Sequence, residues 1–187
     1  MRATVSRTLL MKDVFVPESE LLMPHGVYFR AATSWPHMFL TLSPTYMGLA
    51  QAAYDFTVAY LRGEAPGTPP VKRRMYPTKQ IAVAEMHVML EQTKTLWFQA
   101  VSEARANPTK EQVLRAYAAQ HTVMENANAL AAKAIRTCGG QAMLKNLPLE
   151  RIYRDSRCGS LMLPWTAEIC LDRLGRETLY EPGEKDE

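Results

Sequence analysis

Apolar side chains recur at intervals of three and four residues over most of the chain, from Pro36 onward. This spacing places them on one face of an α-helix, so it predicts a series of amphipathic helices. The apolar face of the first predicted helix consists of Met38, Leu42, Tyr46, Leu49, Ala53, Phe56 and Tyr60. That of the second consists of Val83, Met86, Leu90, Thr93, Trp97 and Ala100, and that of the third of Val113, Ala116, Gln120, Val123, Ala127, Leu130 and Ala134.

Proline, glycine and capping residues predict where these helices begin and end. Pro44 lies inside the first apolar stripe and is expected to kink that helix or to separate its first turns. The linker RGEAPGTPPVKRRMYPTKQ, residues 62–80, contains four prolines and two glycines, which exclude a regular helix there. Thr109 and Gln112 form the pattern of a capping box for the third helix, and Gly139 follows its predicted end.

The overall pattern predicts a mainly α fold. A shorter fourth helix is predicted in AEICLDRLGR, residues 167–176. Three long helices and a shorter one, joined by short turns, are typical of an up-down four-helix bundle. The segment TVSRTLLMKDVFVP, residues 4–17, is rich in Val, Thr and Leu and partly alternates, so it predicts a short N-terminal β arm over residues 3–17.

The composition is that of a globular domain and excludes several classes of function. The chain has 187 residues, of which 47% are hydrophobic and 22% charged, and its net charge is +3. Basic and acidic residues are interleaved, so no footprint for nucleic acid is expected, and no apolar run approaches the ~20 residues of a membrane span. The histidines lack the spacing of metal ligands. Cys138, Cys158 and Cys170 form no CxxC pair, and their odd number indicates a reducing cytoplasm.

A dense cluster of charges follows the third predicted helix in GGQAMLKNLPLERIYRDSR, residues 139–157. Two glycines let the backbone come close to a flat or charged ligand, because no Cβ intervenes. Arginine and aspartate a few residues apart can pair and hold a turn against a neighbouring helix. We therefore interpret this charged segment as a structural turn, whose members are Glu150, Arg151, Arg154 and Asp155.

Several motifs in this sequence resemble the acyl-CoA dehydrogenase family. The family closes its third bundle helix with a Gly-Gly pair and continues with a P-x-E-R-x-y-R-D motif. The matching positions here are Gly139, Gly140, Pro148, Glu150, Arg151, Tyr153, Arg154 and Asp155. TAEI at 166–169 resembles part of the family's E-G-T-x-E-I motif, KDVFVPESELL at 12–22 resembles the close of its central β-domain, and PTKQIAVAEM at 77–86 resembles the start of its second bundle helix.

The resemblance covers the whole chain and implies a domain organisation. Residues 1–22 correspond to a remnant of the central β-domain, 23–180 to the C-terminal helical bundle, and 181–187 to a tail. About half of the family's chain is represented, and the sequence begins inside the β-domain. The family's bundles associate, so the resemblance implies a homo-oligomer, either a dimer or a tetramer.

The resemblance also implies a flavoprotein that uses FAD and acts on the CH–CH bond of acyl-CoA thioesters. The residues that it places against the cofactor are Arg136, Gly139, Gly140, Thr166 and Glu168. Lys72, Arg73 and Arg74 lie near the place of the family's R-x-Q-F-G motif but closer to the helix start than the pattern allows. A solvated basic linker explains these three residues at least as well as contact with phosphate.

One departure from the family concerns the catalytic base. Dehydrogenation requires a carboxylate that takes the α-proton while the flavin accepts a hydride. Alignment on Thr166 places Pro164 at the position of this glutamate and Trp165 at that of the following glycine. Some members carry the glutamate on the first bundle helix, but HMFLTLS, residues 37–43, contains no acid. We therefore assign no catalytic residue and expect the chain alone to be inactive.

Three functions stay open from the sequence. The first is the C-terminal portion of an acyl-CoA dehydrogenase-like oxidoreductase. The second is a relative of the reduced-flavin-dependent monooxygenases, which share the bundle and lack the catalytic glutamate. The third is a non-catalytic bundle that serves oligomerisation or partner binding.

Overall fold

The computed structural model describes residues 7–181 and 183–186. Within these residues the chain is mainly helical, and short 3-10 helices lie in several of the connections. The α-helices are α1 (Val27–Ser34), α2 (Ser43–Arg62), α3 (Pro77–Ser102), α4 (Lys110–Cys138), α5 (Leu149–Arg157) and α6 (Ala167–Leu179).

The long helices form the predicted up-down bundle around α4, which packs against α2, α3, α5 and α6. Hydrogen bonds join α4 to its neighbours. The Ser43 hydroxyl near the start of α2 donates to Gln120 Oε1 at 2.8 Å, and the Asn126 amide donates to Thr93 Oγ1 of α3 at 2.8 Å. The Lys110 amino group at the start of α4 lies 3.4 Å from the Tyr180 carbonyl just after α6.

Small side chains let α4 lie close to its neighbours. Five alanines of this helix are fully buried, and larger apolar residues of α2, α3 and α4 fill the space around them. The five are Ala116, Ala119, Ala127, Ala131 and Ala134. The core of the bundle therefore follows the apolar stripes that the sequence predicts.

The helix ends follow the predicted local chemistry. Pro44 lies in the first turn of α2, where its missing N–H costs no hydrogen bond, so the helix starts there and residues 36–41 form a separate 3-10 helix. Thr109 and Gln112 make the predicted capping box at the start of α4. The left-handed backbone of Gly63, with φ 77°, ends α2.

The predicted N-terminal β arm is not present in the described residues. Residues 7–22 contain no strand, and the single regular element among them is a 3-10 helix at Glu18–Glu20. Leu9, Leu10 and Phe15 are exposed. A strand needs a partner for its hydrogen bonds, and within the described residues no strand exists to supply one. Residues 3–6 of the predicted arm lie outside the described residues.

The charged segment that the sequence suggests to be a turn forms the nine-residue helix α5. Leu149, Ile152 and Ser156 are buried at helical spacing, while most of the charged side chains between them face outward. This narrow stripe packs α5 onto α4.

Among the described residues, no helix is long and apolar enough to cross a membrane. In the same part of the chain, no group of three or more His, Cys, Asp or Glu side chains is arranged to hold a metal ion.

Candidate functional site

The glycine pair lies at the C-terminal end of α4. Gly139 has φ 92°, a backbone conformation that favours glycine, and its N–H donates to the Ile135 carbonyl at 2.8 Å. A Cβ placed on Gly139 or on Gly140 would meet no other atom within 4 Å. The absence of side chains at this pair therefore leaves open space beside the backbone rather than room for helix packing.

Three basic side chains surround the end of α4, and we call Arg73, Lys79 and Arg136 the basic cluster. The Lys79 amino group donates to the carbonyl of Thr137, two residues before the glycine pair. The Arg73 guanidinium lies 4.6 Å from the ring centroid of Tyr60. Arg136 is exposed in the last turn of α4. The cluster places positive charge around an approachable backbone.

Two members of the basic cluster border a groove of about 650 Å³ between α3 and α4. Lys79 and Arg136 line it together with Lys133, which forms an ion pair with Glu85 across the two helices. No such ion pair to an acid is formed by Arg136 among the described residues, so its charge is available at the mouth of the groove.

Cys138 lies directly before the glycine pair and does not contribute a nucleophile. Its side chain is buried, and this burial raises the pKa of the Cys138 thiol to about 11. The thiol therefore stays protonated near neutral pH. On the other side of the pair, the Tyr60 hydroxyl donates to Gln141 Oε1 at 3.2 Å and ties α2 to the segment that follows Gly140.

The residues at this end of the bundle fit the phosphates of a dinucleotide such as FAD. Phosphate oxygens accept hydrogen bonds from arginine, lysine and backbone N–H groups, and they need a surface without bulky side chains. Arg136 and Lys79 supply the cations, and the open space at Gly139 and Gly140 supplies the approach.

Thr166 and Glu168 lie in the first turn of α6 and have local roles in this structure. The Thr166 hydroxyl accepts from the Ile169 N–H at 3.3 Å and so caps the helix. Hydrogen bonds from the Glu168 backbone N–H and from Thr166 hold the pKa of the Glu168 carboxyl below its ordinary value of 4.5. The charges of Arg157 and His121 act in the same direction.

A single chain does not bring the two sets of proposed cofactor residues together. Trp165, the neighbour of Thr166, contacts Tyr117 at 4.9 Å between ring centroids. Tyr117 lies near the start of α4, whereas Gly139 follows its end. The helical rise of about 1.5 Å per residue, over the 22 residues from Tyr117 to Gly139, places the glycine pair and Thr166 on the order of 30 Å apart.

An indole fills the space beside Pro164. The Trp165 side chain is 4% exposed and packs edge-on against Phe39, at 5.8 Å, and against Tyr117. Trp165 occupies the position that the resemblance gives to the family's glycine. This site therefore holds a proline and a buried aromatic ring, and neither can take a proton from a carbon acid.

The charged residues of α5 form ion pairs mainly within their own helix. Arg154 lies 3.4 Å from Glu150 and 3.5 Å from Asp155, and Arg151 is exposed. The polar contacts with α4 come from Arg157, which lies outside the motif, and from the backbone of Tyr153. The Arg157 guanidinium pairs with Glu125 of α4 at 3.2 Å, and the Asn128 amide donates to the Tyr153 carbonyl at 3.1 Å.

Sequence reasoning gave Arg73 no definite role and missed Lys79. Arg73 belongs to a basic run with Lys72 and Arg74, and the sequence of this run is typical of a solvated linker. In the folded chain the Arg73 guanidinium lies over the Tyr60 ring. Lys79 belongs to the motif PTKQIAVAEM, residues 77–86, which indicates the start of a helix and gives no sign of a binding role. Their nearness to the glycine pair depends on the packing of α2, α3 and α4, which no local spacing reveals.

Comparison with known proteins identifies the family. A family model described as "Acyl-CoA dehydrogenase, C-terminal domain" matches residues 40–161. The short-chain specific acyl-CoA dehydrogenase of Rattus norvegicus mitochondria is 31% identical over 161 residues, which are 84% of this chain and 37% of that protein. The chain thus spans little more than a third of the length of this relative.

Solved structures agree with this result. A glutaryl-coenzyme A dehydrogenase in complex with glutaryl-CoA superposes with a TM-score of 0.71 at 24% identity, over 88% of this chain and 41% of that one. A nitrososynthase from Micromonospora carbonacea var. africana superposes with a TM-score of 0.63 at 27% identity, over 75% and 36%. The bundle, the glycine pair and the match over residues 40–161 lead to one conclusion. The chain belongs to the acyl-CoA dehydrogenase family, of which it carries the C-terminal helical domain.

Proposed function

We propose that this chain is the flavin-binding bundle of an acyl-CoA dehydrogenase-like oxidoreductase that uses FAD and acts on the CH–CH bond of acyl-CoA thioesters. The observation that supports it most is the open glycine pair beside the basic cluster, at the position where the family resemblance expects cofactor contact. When bound, FAD supplies the acceptor for a hydride.

The residues of this chain then have distinct roles. Gly139 and Gly140 admit the cofactor to the backbone, and Arg136, Lys79 and Arg73 offset the charge of its phosphates. Thr166 and Glu168 serve a second contact, which lies too far from the glycine pair to be part of the same local surface. Two copies of the chain, each giving one end of its bundle, supply both contacts to one cofactor.

A binding measurement tests this proposal. The chain is titrated with FAD, and flavin fluorescence or calorimetry reports the affinity. Arg136→Glu reverses a charge beside the glycine pair, so we expect binding to weaken by tenfold or more. Arg105→Glu makes the same charge change at the opposite end of α3, where it should leave the affinity unchanged. Equal affinities of the two variants, or the absence of FAD binding by the parent chain, would contradict the proposal.

We propose further that the chain alone does not dehydrogenate acyl-CoA. General-base catalysis contributes about 10²- to 10⁴-fold in rate, and Pro164 has no group that accepts a proton. With excess FAD, short, medium and long acyl-CoAs and a dye acceptor, we expect no bleaching of the flavin absorbance. Bleaching by any acyl-CoA would disprove this expectation and would direct attention to Glu168 or to an acid of a second chain.

A reduced-flavin-dependent monooxygenase is the second candidate. The lack of an acid at Pro164 favours it, because the oxygen chemistry that a reduced flavin would supply needs no carboxylate base. Consumption of oxygen by reduced flavin in the presence of the chain, at a rate above that of free flavin, would distinguish it from the dehydrogenase. If the chain binds no flavin, the non-catalytic interaction bundle becomes the better explanation.

A further inference from the structure

The helices α2 and α3 form a second groove, which we call the α2–α3 groove. It has a volume of about 430 Å³, within the range of small-molecule sites. Its lining residues come from the second half of α2, from the linker and from the first half of α3, and none of them lines the groove beside the glycine pair. The two grooves are therefore separate surfaces of the bundle.

Aliphatic side chains form the middle of the α2–α3 groove. Val58 and Leu61 line it from α2, and Val83 and Ala84 line it from α3. Ala84 is exposed and the two valines are half-buried, so this apolar wall is open to solvent. An apolar ligand that covers the wall would remove its surface from water, which is favourable.

Two arginines lie at one end of the α2–α3 groove. The Arg73 N–H donates to the Leu61 carbonyl at 2.8 Å, which holds the linker at the end of α2 and brings Arg74 near Arg62. Arg62 forms an exposed ion pair with Glu64 at 3.0 Å. Arg74 is exposed, and none of the ion pairs among the described residues involves it. No acid is among the described residues that line the groove, so this end carries positive charge.

Two rings lie at the other end of the α2–α3 groove. The Tyr54 ring of α2 and the His87 ring of α3 have their centroids 5.8 Å apart. Tyr54 precedes Arg62 by eight residues on the same helix. A helical rise of about 1.5 Å per residue therefore separates the two ends by about 12 Å. The groove is thus elongated, with cations at one end and aromatic rings at the other.

This arrangement limits the ligand class to an elongated molecule with one anionic group. An arginine guanidinium binds a carboxylate through two parallel hydrogen bonds. A ligand with charges along its length, such as a nucleotide, would have them placed against the aliphatic middle without partners, which is costly. A saturated chain of about ten carbons matches the length of the groove, since an extended chain advances about 1.2 Å per bond.

We propose that the α2–α3 groove is a binding site for an aliphatic carboxylate of medium length. The carboxylate group pairs with Arg74 beside Arg62, and the chain lies along the aliphatic middle toward Tyr54 and His87. Because Arg74 and His87 are exposed, both ends of the site can be reached in the folded chain.

This site lies apart from the basic cluster. Arg73 lies over the Tyr60 ring, whereas its neighbour Arg74 lines the α2–α3 groove. The helix α3 likewise presents Ala82 to the groove beside the glycine pair and Val83 to this one. The proposal therefore goes beyond the proposed function and rests on no part of it.

The test uses decanoate as the probe and 1-decanol as the matched compound without a charge. Calorimetry should show saturable binding of decanoate with one site. The alcohol should bind about threefold to tenfold more weakly, because an exposed charge pair contributes modestly. In NMR spectra the ring signals of His87 should shift, whereas those of His121 on α4 should not. Added FAD should leave the affinity for decanoate unchanged.

Two pairs of variants make the test specific. Arg74→Gln removes an exposed charge, so decanoate should bind about threefold to tenfold more weakly while 1-decanol binds as before. Lys72→Gln makes the same charge change at an exposed linker residue outside the groove and is its control. Ala84→Phe should fill the middle of the groove and abolish binding of both compounds. Ala52→Phe, at an exposed position of α2 outside the groove, is the matched control.

The proposal is overturned if decanoate shows no saturable binding, if 1-decanol binds as tightly, or if decanoate shifts the His121 signals alone. It is also overturned if Arg74→Gln and Lys72→Gln change the affinity equally. Displacement of decanoate by FAD counts against it as well, because the probe would then occupy the flavin site. Should Ala84→Phe fail to fold, the comparison of the two linker variants decides.

Discussion

Gly159 is the residue at which one added methyl group would disturb the core most. A Cβ there would lie 2.5 Å from Met124 Sδ and 2.9 Å from two ring carbons of Tyr46, and both neighbours are buried. Gly159→Ala should therefore destabilise the fold by about 1–3 kcal/mol through overpacking. Urea unfolding measures the change.

The matched control for this substitution is Gly48→Ala. Gly48 lies inside α2, and a Cβ there would meet no atom within 4 Å. Alanine at this position should stabilise the helix by about 0.5–1 kcal/mol. If both alanine variants shift the unfolding midpoint in the same direction, the close packing around Gly159 is not what requires glycine.

His37 makes stability depend on pH. Burial lowers the pKa of this imidazole below 6.5, so between its folded pKa and 6.5 the unfolded chain binds more protons than the folded one. The stabilising contribution is thus present above pH 6.5 and is lost as the pH falls toward the folded value. We expect the melting temperature to drop less between pH 7.5 and 5.5 for His37→Phe than for the parent chain. Equal drops would contradict the assignment to His37.

At the scale of the elements, the cap at the start of α4 should make a measurable contribution to the free energy of unfolding. The capping box of Thr109 and Gln112 satisfies N–H groups at the start of α4, the helix that contacts every other long helix. Thr109→Ala should lower the free energy of unfolding by about 0.5–2 kcal/mol, while Thr109→Ser keeps the hydroxyl and most of the stability. Identical urea midpoints for the two variants would show that the cap contributes nothing.

The elements also show which parts of the fold can be predicted from local sequence patterns. The stripes of α2, α3, α4 and α6 are long enough for their periodicity to predict a helix, and Pro44, Thr109 and Gly139 predict their ends. The helix α5 is only nine residues long, and its buried stripe is hidden among charges, so the pattern suggests a turn. The N-terminal segment alternates like a strand, but alternation cannot supply the partner strand that a sheet requires.

The candidate site is predicted only in part for a similar reason. The motif identifies Gly139 and Gly140, because a glycine pair after a helix is a local signal. It does not reveal that Arg73 and Lys79 lie beside them, or that Thr166 is on the order of 30 Å away. These relations depend on how α2, α3, α4 and α6 pack against one another, which no local pattern specifies.

At the scale of the whole molecule, an exposed apolar face on α3 leads us to expect self-association. The proposed function requires it, because two copies of the chain supply the contacts to one cofactor. Ile81 and Val88 lie two turns apart on this helix and are 60% and 55% exposed. Light scattering should give a mass of two or four times 21.1 kDa. Replacing both residues with glutamate should shift the mass toward one chain, because burying unpaired charges is costly.

The control for this prediction is Leu171→Glu, which places a glutamate on an exposed apolar position of α6. It should leave the mass unchanged. A parent chain that scatters as a clean monomer at micromolar concentration, or a dissociation caused equally by Leu171→Glu, would argue against an interface on α3.

The central position of α4 has a consequence for how the molecule opens. Every other long helix buries its apolar face against α4, so none can detach without exposing the same shared core. The amide hydrogens in the middle of α4 should therefore exchange with solvent deuterium only through global unfolding, while those of α1 should exchange through local fluctuations. In energetic terms, the bundle behaves as one cooperative unit with a single slowest-exchanging element.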